Sequence, residues 1–128
     1  MVKYDIATPN HVVIDMYGVD YGLANDLDGI RTLSRRIIER LHSDMVGEVY
    51  KKLEPHGVIY IVLLLQSHVS IHTWPEIGYV AMDVYTCSDV PVTEIVDDVL
   101  AFFKPRKHVV RFLSRPVLEP PEEDLTEA

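Results

Sequence analysis

Cysteine is almost missing from this chain: Cys87 is the only one, which excludes an internal disulfide and any cysteine-rich zinc site. Bases are also scarce, 12 lysines and arginines against 20 acids, for a formal net charge of −8. A nucleic-acid surface needs a basic stripe, and this balance argues against one. The longest apolar run lies within residues 58–66, far short of the ~20 residues that a membrane-spanning helix requires. Met1-Val2-Lys3-Tyr4-Asp5 leads into mixed sequence without the apolar stretch of a secretory signal. A soluble cytoplasmic protein is the expectation.

What remains is an ordinary globular composition, 48% hydrophobic and 25% charged over 128 residues, which suits one domain and is too short for two. Five of the acids fall in the last ten residues, Glu119 to Ala128, beside Pro120-Pro121, which leaves −3 on the rest of the chain. A single domain over residues 1–115 is expected, followed by an acidic, disordered tail over 116–128.

The hydrophobic periods predict the elements. Residues 11–17 read as a strand ending at Gly18. Asp26 and Asp28 then open a helix with Ile30, Leu33, Ile37, Ile38 and Leu41 on one face, the spacing of a 3.6-residue period. Residues 45–53 suit a strand, and 58–66, apolar almost throughout, suit one buried on both faces. Residues 68–74 and 79–86 alternate around Pro75-Glu76-Ile77-Gly78, a hairpin-length turn. After Pro91 a second helix carries Ile95, Val96, Val99, Leu100 and Phe103, and residues 107–113 form a last strand. The order β-α-β-β-β-β-α-β implies an α+β fold: a two-layer sandwich, mainly antiparallel, with both helices on one face.

Chemistry concentrates in Gln66-Ser67-His68-Val69-Ser70-Ile71-His72-Thr73-Trp74-Pro75-Glu76. His68 and His72 have the spacing of a helical metal pair, but here they sit in strand-like alternation with no third ligand evident, so no metal site is read from them. A serine hydrolase would need a glycine-flanked nucleophile turn, and Ser67 follows an apolar strand instead. On composition alone these histidines are hydrogen-bonded strand residues beside a hairpin, and a lone cysteine such as Cys87 is ordinarily a small core residue.

The string from Ser67 to Glu76, with Gly78-Tyr79 and then Asp83-Val84-Tyr85-Thr86-Cys87, closely resembles the bacterial and archaeal S-adenosylmethionine decarboxylase proenzymes. Asp15-Met16-Tyr17-Gly18 and Glu54-Pro55-His56-Gly57-Val58 extend the resemblance, which covers roughly residues 10–113. It implies self-cleavage between Gln66 and Ser67, with Ser67 becoming a covalent pyruvoyl cofactor. That ketone forms a Schiff base with the substrate amine and acts as the electron sink that no ordinary side chain supplies. By the same match His72 is an acid/base in processing, Cys87 returns a proton to the substrate carbon, and Glu76 holds the ribose hydroxyls. The implied substrate is S-adenosylmethionine, decarboxylated to the aminopropyl donor of spermidine synthesis. The implied assembly is a homodimer of cleaved pairs, with each site built from two protomers.

The spacing raises one difficulty: Ser67 and His72 are five apart, so an unbroken strand points them to opposite faces, and a bulge or a displaced cut end is needed to unite them. Asp83, Tyr85 and Cys87, by contrast, share a strand face. Three positions depart from the family. Gln66 stands for a glutamate, Ile59 for a serine that assists processing, and Leu53 for the aromatic that stacks on adenine. Tyr50, three residues upstream, replaces that ring only if its strand shifts. Two alternatives therefore stand beside the main expectation: a pyruvoyl-dependent arginine or ornithine decarboxylase, and an uncleaved, non-catalytic partner of an active paralogue.

Overall fold

Alternation builds the first strand. In β1 (His11–Tyr17) Val12, Ile14 and Met16 point inward while His11, Val13 and Asp15 point to the other side. Met45–Lys52 (β2), Val58–Leu64 (β3), Ser67–Trp74 (β4), Tyr79–Tyr85 (β5) and Lys107–Leu113 (β6) complete a six-stranded sheet. Its spatial order is β2-β3-β4-β5-β1-β6, and every neighbouring pair is antiparallel. The first strand thus lies between the fifth and the last. These features come from a computed structural model, which describes residues 8–119 and 121–124.

The helices cover the inward face. Tyr21–Ala24 (α1) is capped by Asp20, whose carboxylate accepts from the Gly22 N–H at 2.9 Å. Leu27–Arg40 (α2) is capped by Asp26, which accepts from the Gly29 N–H at 2.9 Å. Ile30, Leu33, Ile37 and Ile38 of α2 join Val99 and Phe103 of α3 (Val96–Phe103) and the inward strand residues in one core. Each such burial contributes ~1.5–3 kcal/mol, so the apolar stripe rather than helix propensity holds α2 in place.

The α+β two-layer architecture agrees with expectation, with differences at the ends of elements. β3 stops at Leu64 because Leu65 and Gln66 form the hairpin turn, and β4 accordingly begins at Ser67. β2 ends at Lys52 and β5 at Tyr85, each one residue early. The segment after Pro91 opens as a 3-10 turn, Val92–Ile95, before α3 begins. α1 was not anticipated. β3 is not buried on both faces: Ile61 and Leu63 are 44% and 57% exposed. Glu122–Asp124, within the expected acidic tail, forms one 3-10 turn, while residue 120 and residues 125–128 lie outside the described residues, as do residues 1–7.

Among the described residues, the helices thus leave one face of the sheet without a covering layer. That open face carries His68, Ser70, His72 and Trp74 of β4.

Candidate active site

The β3–β4 hairpin is as tight as hairpins come, with Leu64 paired to Ser67 across the turn residues Leu65 and Gln66. A turn this short needs positive φ, and Gln66 supplies it at φ +63°, a left-handed conformation that costs a side-chain-bearing residue ~1–2 kcal/mol. The Gln66–Ser67 peptide bond follows directly. Ser67 turns inward and is 7% exposed. Its hydroxyl oxygen accepts a hydrogen bond from the backbone N–H of Cys87 at 3.0 Å. Cys87 lies just beyond β5, and its thiol donates to the Tyr85 hydroxyl at 3.8 Å. Hydrogen bonding to Cys87, then burial, holds the Tyr85 phenol above its ordinary range. Ser67 and Cys87 therefore meet through this hydrogen bond.

His72 does not join them. β4 keeps unbroken register with both neighbours from His68 to His72, so no bulge rotates its side chains. Ser67 points inward and His72 outward, roughly 17 Å along the strand at ~3.3 Å per residue. His72 instead faces Ile59 across the β3–β4 pair and Ala81 across β4–β5. Ile59 thus stands directly beside His72. His68 and His72 share the open face but are about 13 Å apart by the same rise, too far for one ion.

A ladder of rings starts at His72. Its imidazole stacks on Trp74 with centroids 6.4 Å apart, Trp74 on Tyr79 at 5.1 Å, and Tyr79 on Tyr17 at 5.4 Å. The Tyr79 hydroxyl donates to Asp15 at 2.6 Å, and that bond, with burial, pushes its pKa up to about 12. Glu76 lies in the 3-10 turn Pro75–Ile77 and forms an ion pair with His56, whose ring meets Tyr21 edge-on at 5.7 Å. Gly78 ends this turn at φ +67°, where a Cβ would come within 3.1 Å of the Val19 carbonyl oxygen. Leu53 stands at the same end of the sheet, donating its N–H to the Gly57 carbonyl at 2.8 Å.

Tyr50 is a correction. It pairs with Tyr60, whose side chain points into the core, so it lies on the helix side, with the Arg31 guanidinium 4.7 Å over its ring. Arg31 and the Tyr60 hydroxyl both donate to Glu48 there, which holds the Glu48 carboxyl below its usual range. Tyr50 belongs to this structural network and cannot take the place of Leu53 on the open face.

The sequence alone did not single out the centre of that face. The Nε2 atoms of His11 and His68 each lie 2.8 Å from Asp83 Oδ2, and the Ser70 hydroxyl donates to the other carboxylate oxygen. Burial raises the Asp83 carboxyl, but the bonds from Ser70, His68 and His11 outweigh it and hold its pKa below the ordinary value.

Fold and site together define a class: a two-layer α+β domain with an open antiparallel face, whose hairpin serine meets its only thiol at one sheet end. Residues 10–116 match a family-level sequence profile described as S-adenosylmethionine decarboxylase. The chain belongs to this family and is an enzyme of its decarboxylase class. It is 42% identical over 84 residues to an S-adenosylmethionine decarboxylase proenzyme of Archaeoglobus fulgidus, covering 66% of this chain and 75% of that one. A proenzyme of the same name from Methanococcus maripaludis is 31% identical over 110 residues, covering 85% and 90%. The crystal structure of the adenosylmethionine decarboxylase from Aquifex aeolicus superposes with a TM-score of 0.77 at 31% identity, covering 88% of this chain and 93% of that one. Among the described residues, no helix is long and apolar enough to cross a membrane.

Proposed function

We propose that the chain cuts itself between Gln66 and Ser67, converts Ser67 into a pyruvoyl group, and decarboxylates S-adenosylmethionine to yield the aminopropyl donor of spermidine synthesis. The observation that carries this is the Ser67 hydroxyl at the turn after Gln66, 3.0 Å from the Cys87 N–H. Attack of that oxygen on the Gln66 carbonyl replaces the amide by an ester and frees the Ser67 amine. Removal of the Ser67 α-proton then breaks the Cβ–O bond and expels the Gln66 carboxylate. Water hydrolyses the resulting dehydroalanine, through its imine tautomer, to the ketone and ammonia. The Gln66 side chain leaves with the upstream fragment, so glutamine in place of glutamate is a mild change. A pyruvoyl ketone supplies an electron sink for the carbanion left when carbon dioxide departs. Cys87, beside Ser67, is suited to return the proton to that carbon, and a reducing cytoplasmic setting keeps an unpaired thiol available for it.

His72, Ile59, Leu53 and Glu76 then act in the site of a second copy. Ser67 and Trp74 stand at opposite ends of β4, roughly 23 Å apart, so one chain cannot bring both ends to one substrate. The open face exposes Val49, Ile61, Leu63 and Trp74 at 76%, 44%, 57% and 42%, an apolar area suited to a covering partner. Two copies packed through this face about a two-fold axis lay the Ser67–Cys87 end of one over the His72–Glu76 end of the other. A homodimer of cleaved pairs thereby makes two complete sites.

Leu53 favours a second reading, arginine or ornithine as substrate, because it offers an adenine no π-face. Intact mass under denaturing conditions tests the cut: fragments 1–66 and 67–128, the latter without a free amine, are expected. A single uncleaved species after long incubation removes the proposal. Release of carbon dioxide from S-adenosylmethionine, arginine and ornithine then separates the substrates, and release from the amino acids alone overturns the first reading.

A further inference from the structure

The cluster at the centre of the open face has no part in the reaction above. His11 comes from β1, His68 from β4 and Asp83 from β5, three adjacent strands. One ligand atom from each lies within 4.8 Å of the others. Both imidazole Nε2 atoms already stand 2.8 Å from the same carboxylate oxygen, so the three donors converge on one point. The Tyr85 ring packs against both imidazoles, with centroids 5.6 and 6.1 Å away. Ser70 holds the remaining Asp83 oxygen. Rings and carboxylate are therefore fixed before any ion arrives, and Ser70 is the kind of outer hydrogen-bond partner that orients a ligating carboxylate.

We propose that His11, His68 and Asp83 form a binding site for a divalent transition-metal ion of the zinc, cobalt or nickel class. Two imidazole nitrogens with one carboxylate oxygen suit these borderline ions, whereas magnesium and calcium prefer all-oxygen sets. Ligand-to-metal distances of ~2.0–2.2 Å put tetrahedral ligand atoms ~3.3–3.6 Å apart, so each Nε2 moves out a few tenths of an ångström from its 2.8 Å contact with Asp83 Oδ2 to admit the ion. Binding requires each imidazole to be neutral and to turn an Nε2 lone pair toward the ion, in place of the hydrogen now directed at Asp83. Three protein ligands leave at least one position outward for water or a partner group. The ion would tie together three strands next to Ser67, since His68 is its neighbour in sequence.

The test is a cobalt(II) titration of the chelator-treated, full-length chain, read by visible absorption, with zinc(II) calorimetry alongside. One equivalent per chain and a rise in Tm are expected. His68→Gln and Asp83→Asn should bind at least tenfold more weakly, while His72→Ala and His108→Ala bind as wild type. Circular dichroism verifies that each variant is folded, and His11→Gln repeats the test at the third ligand. Equal binding in all the variants, or none at micromolar cobalt and zinc in wild type, overturns the site. The measurement is made on Ser67→Ala as well. Binding in that uncleaved chain supports the site whatever becomes of the pyruvoyl proposal, and binding confined to cleaved wild type overturns it.

Discussion

The two ends of β4 make different kinds of surface from one strand. At the Ser67 end the hydroxyl is inward, 7% exposed and tied to the Cys87 backbone N–H, with a thiol against a phenol beside it. At the Trp74 end they are large, outward and stacked: a ladder of four rings, with Trp74 and Tyr17 each 42% exposed, next to the Glu76–His56 pair. In the proposed function the first end supplies the reacting groups. The second can recognise and exchange protons but has no nucleophile. Strand length separates the two ends by roughly 23 Å, so in the proposed function each is half of a site.

Mixing two inactive variants breaks or sharpens that division most sharply. Ser67→Ala lacks the reacting hydroxyl and stays uncut. His72→Ala should lack the base for the Ser67 α-proton and stall as an ester, which hydroxylamine splits under conditions that spare amides. Co-expressed, the pair forms mixed dimers in which one site holds the intact Ser67 of one chain and the intact His72 of the other. Spontaneous cleavage of the His72→Ala chain, absent when it is expressed alone, is the expected result by denaturing mass spectrometry. If co-expression restores nothing while mixed dimers are demonstrably present, both residues act within one chain and the two-copy site is wrong.

Cys87→Ala separates the tasks at the Ser67 end. Maturation uses the Ser67 hydroxyl and the backbone N–H of Cys87, which alanine retains, so the chain should still cut. Decarboxylation should fall ~10²–10⁴-fold, the usual contribution of a positioned proton donor. Turnover unchanged in the cleaved variant would leave Cys87 a packing residue.

Much of this was written in local pattern. The α2 stripe, from Ile30 to Leu41, and the strict alternation of β4 and β5 predict their elements because one face of each must enter the core. Even the separation of Ser67 from His72 follows from odd spacing, and the same parity puts Tyr50 and Leu53 on opposite faces. α1 escaped because four residues carry no period, and only the Asp20 cap marks it. The His11–Asp83 contact escaped for a deeper reason. It joins residues 72 apart, and it depends on β1 inserting between β5 and β6, which no local period encodes.

Leu53→Phe sharpens the Trp74 end alone, with a smaller effect. A phenyl ring restores a π-face worth ~1 kcal/mol, so KM for S-adenosylmethionine should fall about fivefold. Turnover should stay level, because stacking holds the adenine equally in ground and transition states. With arginine or ornithine as the true substrate the same ring is neutral or obstructive.

The smallest effect lies between the two ends, at Asp83. Its folded pKa is depressed by the bonds from Ser70, His68 and His11, which outweigh burial. A depressed carboxylate stabilises the folded chain fully above its unfolded pKa of about 3.9, and that contribution is lost as the pH falls through the lower folded value. Asp83→Asn has no such titration. In chelator, denaturant midpoints of wild type should therefore exceed those of Asp83→Asn at pH 6, with the gap narrowing as the pH drops below about 4. A gap that stays constant down to pH 3 would mean that the ionised carboxylate contributes nothing there, and that Asp83 is held by shape rather than by charge.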